Sequence, residues 1–509
     1  MKQDSRNLEK ERLVLQAALD AEKTPGERNR MGQFATPPAL AQDILHYAAA
    51  LLPEDQPIHF LDPAIGTGSF YSALRSVYPD EQVLEATGFE VDPHYGCPAK
   101  ELWHKTGLSL KLADFTTQEA DPRFNLLICN PPYVRHHHLT VAQKSKLRSL
   151  SMKSCDANIN GLAGLYCHFL GISHGWMAQG GIAGWLIPSE FMDVNYGGAL
   201  KKYLLEKVTL LHIHRFDPND TQFADALVSS AIVWFRNTPP PLDNTVKFSF
   251  GGPLLTPKVS RIIPAHILAD ESKWTRFPVS ENRVQPTSPT LSDFFKVKRG
   301  IATGENSFFI LSESEIKEYA LPLKAFRPIL PSSRYLAENE IEADAKGNPR
   351  ISRRLFLLDP QMSEMEIKQN LPTLWDYLQE GISRGVDKGH LCQHRAVWYA
   401  QENRPPAPII CTYLGRSDGK SGKPFRFILN HSQATITNSY LAMYPTALLA
   451  EAMLKDRNLI RKVWIILNQI SSEVLLNEGR VYGGGLYKLE PKELANVPAE
   501  AIGKLLIVN

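Results

Sequence analysis

The chain has 509 residues and a formal net charge of +2, long enough for more than one domain at ~100–200 residues each and without a bulk charge that demands a polyanionic partner. Hydrophobic residues make up 43% and charged residues 22%, which excludes a disordered or fibrous chain. The six cysteines, at 97, 129, 155, 167, 392 and 411, form no Cys-x-x-Cys pair, so neither a zinc site nor a disulfide framework is indicated.

The amino terminus, MKQDSRNLEKERL, is charged and lacks the apolar core of a secretion signal. No apolar run approaches the ~20 residues of a membrane span. A cytoplasmic, reduced protein with no membrane partner is expected. Residues 7–23 carry Leu8, Leu13, Leu15 and Leu19 among charges and read as an amphipathic helix closed by Thr24-Pro25-Gly26. Strand-like and helix-like stretches then alternate. Ile58–Asp62 reads as a strand and Gly68–Val77 as a helix; Ala86–Glu90, Leu108–Ala113, Phe124–Cys129, Ile182–Ile187, Leu210–Phe216 and Ser230–Phe235 read as further strands. The last two are close enough to pair antiparallel. Buried strands separated by helices point to an α/β fold with a mostly parallel sheet covered on both faces.

Thr238-Pro239-Pro240-Pro241 marks a change of texture. The expected organisation is a helical segment at 1–30, a first α/β domain at 31–240, a connecting region at 241–290 and a mixed α/β domain at 291–509 that includes a helix at Thr446–Leu454.

Three acids stand at the ends of successive strands. FLDPAIGTGSF (60–70) is a strand, then Asp62, then a turn in which Gly66 and Gly68 allow close approach of a ligand, then a helix. GFEVDP (88–93) places Glu90 at the end of the next strand, where an acid can accept ribose hydroxyls. Asp114 ends the third strand with Phe115 beside it, an acceptor and a ring face for a heterocycle. The fourth strand runs into Asn130-Pro131-Pro132-Tyr133, where two prolines stop any regular element.

The order GQFATPP (32–38), DPAIGTGSF, GFEVDP, ADF (113–115), NPPY resembles the S-adenosylmethionine-dependent adenine-N6 DNA methyltransferases, in the Eco57I-like and TaqI-like branch that puts cofactor motifs first and a target-recognition domain last. The resemblance covers most of the first 240 residues. The turn carries Ile65 and Thr67, where relatives often have cysteine and serine. The resemblance implies a Rossmann-like domain with a mostly parallel seven-stranded sheet, followed by a mixed α/β target-recognition domain. It implies S-adenosyl-L-methionine as cofactor, with Phe34, Thr36, Asp62, Gly66 and Gly68 near its methionine end, Glu90 at the ribose, and Asp114 with Phe115 at the adenine.

On this reading Asn130 and the Pro131 carbonyl accept hydrogen bonds from the target amine, while Tyr133 and Phe223 hold the base between them. Base flipping out of double-stranded DNA is then required. Segments FKVKRGIATGENSFFIL (295–311) and VYGGGLYKLEPKELANVP (481–498) resemble parts of the recognition domains of that branch. Lys296, Lys298, Arg299, Arg416, Lys420, Lys423, Arg426 and Lys488 are candidate DNA contacts. The same corner also serves protein-glutamine and RNA methyltransferases, and that is the alternative reading. Cys129 reads as a core residue, His136–His138 as a polar loop, and no metal is expected. No nuclease signature is present, so a cognate endonuclease of a restriction–modification system is expected as a separate chain.

Overall fold

The computed structural model describes residues 2–217, 220, 222, 229–278, 288–416, 423–482 and 486–508. The chain divides into two compact units, essentially 1–282 and 283–509. The first opens with helices α1 (Lys2–Ala21), α2 (Pro25–Met31) and α3 (Pro38–Leu51). There follow β1 (Ile58–Asp62), α4 (Ser69–Val77), β2 (Val83–Glu90), α5 (Pro93–Trp103), β3 (Leu108–Leu112) and β4 (Phe124–Cys129). Next come α6 (Val141–Cys155), α7 (Leu165–Ser173), β5 (Met177–Pro188), α8 (Gly198–Glu206), β6 (Thr209–Arg215), β7 (Ser230–Arg236), β8 (Thr245–Phe250) and β9 (Val259–Pro264).

The sheet has nine strands in the order β3-β2-β1-β4-β5-β7-β6-β8-β9. Strands β1 to β5 run parallel, and β7 lies antiparallel to both β5 and β6. Seven strands were expected. The two extra ones fall in 241–290, which is therefore not a bare connection: β8 pairs parallel with β6, and β9 antiparallel with β8. The prolines that suggest a linker lie beside these strands and not in their paired interior.

Alternate residues of the central strands face opposite layers, as the two-residue period of a strand requires. Leu126 and Ile128 pack with Ile44, Leu45, Phe70 and Leu74 of α3 and α4. Leu127 and Cys129 pack with Leu147 and Leu170 of α6 and α7. Every residue of β4 is buried, which explains why it reads as an unbroken apolar run. Strand order reverses between β1 and β4, and the crevice beyond their carboxyl ends is where open α/β sheets take ligands.

The second unit is mixed α/β. A five-stranded sheet takes Phe295–Arg299, Tyr440–Pro445, Ile409–Thr412, Phe427–Asn430 and Glu340–Ile341 in that order. A three-stranded antiparallel sheet joins Ile310–Ser312, Leu355–Leu358 and Phe326–Ile329. The helix expected at Thr446–Leu454 spans Ala447–Lys455. Among the described residues no helix is long and apolar enough to cross a membrane.

Candidate functional site: a cavity at the switch point

The carboxyl ends of β1, β2 and β4 converge on a cavity of about 320 Å³. Gly66, Glu90, Asp114, Phe115, Asn130 and Phe34 are among its walls, and a smaller recess next to it reaches Thr36 and Asp62. The glycine turn is built as its sequence suggests. Gly66 has φ of +56°, and a side chain there would project into open space. Its N–H donates to Glu90 Oε2 at 3.1 Å, while Glu90 Oε1 accepts from the Asp92 N–H at 2.8 Å. Burial holds the Glu90 carboxyl above its ordinary range.

Gly68 serves a different end from the one expected. Its φ is +95°, and a Cβ would lie 2.5 Å from Trp103 Nε1, so it permits the turn to pack on α5 and does not line the cavity. Asp62 is 1% exposed. Its Oδ1 accepts from the Ala64 N–H at 3.1 Å, and its Oδ2 is buried with no hydrogen-bond partner among the described residues. Burial pushes this carboxyl up to about 8, and the Glu90 charge adds to the shift.

Strand β4 ends where Pro131 and Pro132 remove two successive N–H donors. The Asn130 side chain is turned by two acceptors. Its Nδ2 donates to the Phe34 carbonyl at 2.8 Å and to Thr36 Oγ1 at 3.1 Å. A carbonyl can only accept, so these contacts fix which end of the amide is which. Oδ1 is left buried, with no partner among the described residues. The Thr36 carbonyl in turn accepts from Ser69 Oγ at 2.8 Å, pinning that backbone.

Tyr133 is 8% exposed, donates its hydroxyl to the Leu186 carbonyl at 3.0 Å, and meets the Phe34 ring at 5.7 Å between centroids. Its N–H donates to the Gly32 carbonyl at 3.2 Å. Gly32 has φ of +65°, and a Cβ there would fall 2.2 Å from the Tyr133 nitrogen.

Asp114 caps the short helical turn Phe115–Thr117 and accepts from the Thr116 N–H at 2.9 Å and its hydroxyl at 2.7 Å. Phe115 belongs to an aromatic cluster with Phe89, Trp176 and Phe169, and reaches the cavity from that cluster. Cys129 is fully buried, and burial raises its thiol well above the ordinary range, so it is no nucleophile. Residues from outside the motifs complete the walls: Gln16 and Asp20 of α1, and Gln143 and Lys146 of α6. Nothing in their local sequence marks them, because their only distinction is a non-local neighbour.

Phe223 and Lys420 lie outside the described residues, as does the turn at 483–485. In the second unit, the Arg299 guanidinium lies 4.2 Å over the Tyr413 ring, with Lys488 Nζ 5.1 Å from the same ring and 2.7 Å from Glu490. Arg416 is exposed and Lys298 half-buried. Lys423 is bonded to the Asn468 carbonyl. Arg426 is spent on the Leu336, Ala337 and Ser333 carbonyls and carries structure where a DNA contact was expected.

Two family models match the chain. Residues 88–223 match the Eco57I restriction-modification methylase, and residues 272–504 match the C-terminal domain of type II methyltransferase M.Eco57I. Type II methyltransferase M.AccI of Acinetobacter calcoaceticus is 28% identical over 493 residues, covering 92% of this chain and 85% of that protein. M.XamI of Xanthomonas campestris pv. amaranthicola is 26% identical over 494 residues, covering 94% and 86%.

Among solved structures, the type IIL restriction-modification enzyme MmeI in complex with DNA matches at a TM-score of 0.52 and 13% identity, over 97% of this chain and 66% of that one. A DrdV–DNA complex matches at 0.51 and 13%, over 87% and 54%. This chain thus spans about two thirds of the first solved chain and about half of the second, and the likeness shows the fold. Strand order, motif order and both family matches agree: the chain belongs to the Eco57I-like restriction–modification methylases, which are DNA methyltransferases.

Proposed function

We propose that this methyltransferase transfers a methyl group from S-adenosyl-L-methionine to N6 of an adenine flipped out of a specific site in double-stranded DNA, as the modification enzyme of a restriction–modification system whose endonuclease is a separate chain. The supporting observation is the Asn130 amide, held by Phe34 and Thr36 so that a buried Oδ1 is left unpaired. A buried acceptor without a partner costs about 1–3 kcal/mol, and a substrate N–H removes that cost. The exocyclic amine of adenine is a poor nucleophile because its lone pair is delocalised into the ring. Asn130 Oδ1 and the Pro131 carbonyl each accept one N–H and draw the nitrogen toward a tetrahedral form. The prolines hold the two acceptors in place before the base arrives.

The cavity fits the cofactor on three counts. Asp62 offers an unpaired buried carboxylate oxygen to a cationic methionine end, Gly66 leaves space for close approach, and Glu90 and Asp114 line the cavity as acceptors for the ribose and the adenine. Phe34 and Thr36 border the methionine end, and Phe115 the adenine. When bound, S-adenosylmethionine supplies a methyl group activated by a sulfonium. Tyr133 and Phe223 enclose the target base, and extrusion costs a few kcal/mol. Lys298, Arg299, Arg416, Lys420 and Lys488 supply phosphate contacts, which position the duplex without reading it.

The test is modified-base sequencing of DNA from a methylation-deficient host that expresses the protein. N6-methyladenine at one short motif, abolished by Asn130→Ala, is expected. Full activity in Asn130→Ala refutes the clamp. An unmodified genome, with a wild-type protein that binds S-adenosylmethionine, moves the reading to an RNA or a protein amide substrate.

A further inference from the structure

Helix α1 stands before every motif that marks the site, yet it is tied to the glycine turn. Arg12, 1% exposed, makes a two-pronged contact to Glu9, both bonds at 2.7 Å, and sends its remaining terminal nitrogen to Thr67 Oγ1 at 3.3 Å. The Thr67 hydroxyl donates to Gln16 Oε1 at 2.6 Å. Gln16 Nε2 donates to Asp20 Oδ1 at 3.0 Å, and that same oxygen accepts from the Tyr95 hydroxyl of α5 at 2.9 Å. From below, Trp103 Nε1 donates to the Thr67 carbonyl at 2.9 Å. Thr67 is therefore held at its carbonyl by α5 and at its hydroxyl by α1.

Burying a guanidinium is costly unless its donors are met. Here the third contact of that guanidinium is a hydroxyl in the cofactor turn. Gln16 also forms part of the wall of both the main cavity and the recess that holds Asp62 and Thr36. Its side chain thus does two things at once: it lines both spaces and it bonds the turn.

We infer that Gln16 is a cofactor-positioning residue acting through Thr67, and that α1 is a wall of the S-adenosylmethionine site. The inference rests on the reading of the cavity as that site. It follows that loss of the clasp loosens the turn around the ligand and leaves the amine clamp at Asn130 untouched. Effects fall on cofactor affinity and residence, and not on the chemical step.

The test compares Thr67→Val, which keeps the branched shape and removes the hydroxyl, with Thr67→Ser, which keeps the hydroxyl, and with Gln16→Ala. Calorimetry with S-adenosylmethionine on the full chain gives Kd, a chase with unlabelled cofactor gives the dissociation rate, and steady-state transfer to DNA gives KM for each substrate and kcat. Thr67→Val and Gln16→Ala are expected to raise the Kd and KM for the cofactor about tenfold, the scale of one buried hydrogen bond with a stranded partner. They should also speed its dissociation, with kcat at saturation and the KM for DNA within about twofold of wild type. Thr67→Ser is expected to restore the affinity.

Cofactor Kd within about twofold of wild type in both Thr67→Val and Gln16→Ala overturns the inference. So does a fall in kcat at unchanged KM, or a Thr67→Ser as weak as Thr67→Val. Should Thr67→Val not fold, Gln16→Ala, at a half-buried position of the helix, carries the same comparison. A wild-type protein that binds no S-adenosylmethionine overturns the cofactor reading itself, a failure distinct from equal binding by wild type and variants.

Discussion

Replacing Thr36 by valine tests whether the aim of the Asn130 amide governs transfer. The substitution keeps the β-branch at a site 6% exposed and leaves the carbonyl of residue 36 in its bond to Ser69. What disappears is one of two acceptors for Asn130 Nδ2, the hydroxyl at 3.1 Å; the Phe34 carbonyl at 2.8 Å remains. One hydrogen bond lost, with its donor still half satisfied, is worth about 1–1.5 kcal/mol. If the loss is felt in the transition state, that is roughly a five- to tenfold slower step. Removing a whole preorganised group costs about 10²–10³, so Thr36→Val should fall well short of Asn130→Ala. The assay is single-turnover transfer of labelled methyl to a cognate duplex with enzyme in excess and cofactor saturating, which separates the chemical step from binding. Thr36→Ser should keep most of the wild-type rate. Transfer by Thr36→Val at the wild-type rate refutes the account of the amide. An equally slow Thr36→Ser shows that the methyl group, and not the hydroxyl, was responsible.

Two further outcomes follow from the geometry. The Asp62 carboxyl, raised to about 8 by burial, is neutral in the free protein at pH 7. Its contribution to stability is complete below the ordinary carboxylate range and is lost as pH rises through about 8. A cation bound beside it favours the charged form, so binding below that pH releases a proton, and cofactor affinity climbs with pH until about 8. The amino group of the ligand titrates at about 7.7–8.0 in every case, so the comparison is between Asp62→Asn and wild type. Calorimetric Kd values across pH 6–9 should converge toward low pH and separate toward high pH, and parallel profiles count against the assignment. Gly32→Ala places a Cβ against the Tyr133 backbone at a φ of +65°, a combination of strain and overlap worth about 1–3 kcal/mol. A thermal midpoint lowered by a few degrees, together with slower transfer, is expected, and a midpoint within about one degree of wild type would show that the corner yields.

Strands β1 and β4 could be read from the sequence with their observed bounds because an apolar run ends at Asp62 in one and at a double proline in the other. Such breaks are local chemistry. Strands β8 and β9 were missed because short segments among prolines look like a linker until a partner is known. The partner of β8 is β6, more than 30 residues away. The NPPY corner is visible as a motif, but the direction of its amide depends on Phe34, 96 residues upstream. The amphipathic character of α1 is likewise visible in its leucines, while its tie to Thr67 lies in polar side chains that look like ordinary solvent-facing residues. In the second unit, the charges of Arg426 and Lys423 marked them as DNA contacts. Only the fold reveals the carbonyls on which they are spent.

Of the six cysteines, five are buried and Cys97 alone is exposed, on α5 two residues from Tyr95. Burial also raises the Cys129, Cys155, Cys167, Cys392 and Cys411 thiols, which makes them slow to react. The native chain therefore comes with a single address for a maleimide dye, on the helix whose tyrosine grips α1. A fluorophore placed there needs no cysteine-free background. It would report in real time how the amino-terminal helix responds as ligand enters and leaves.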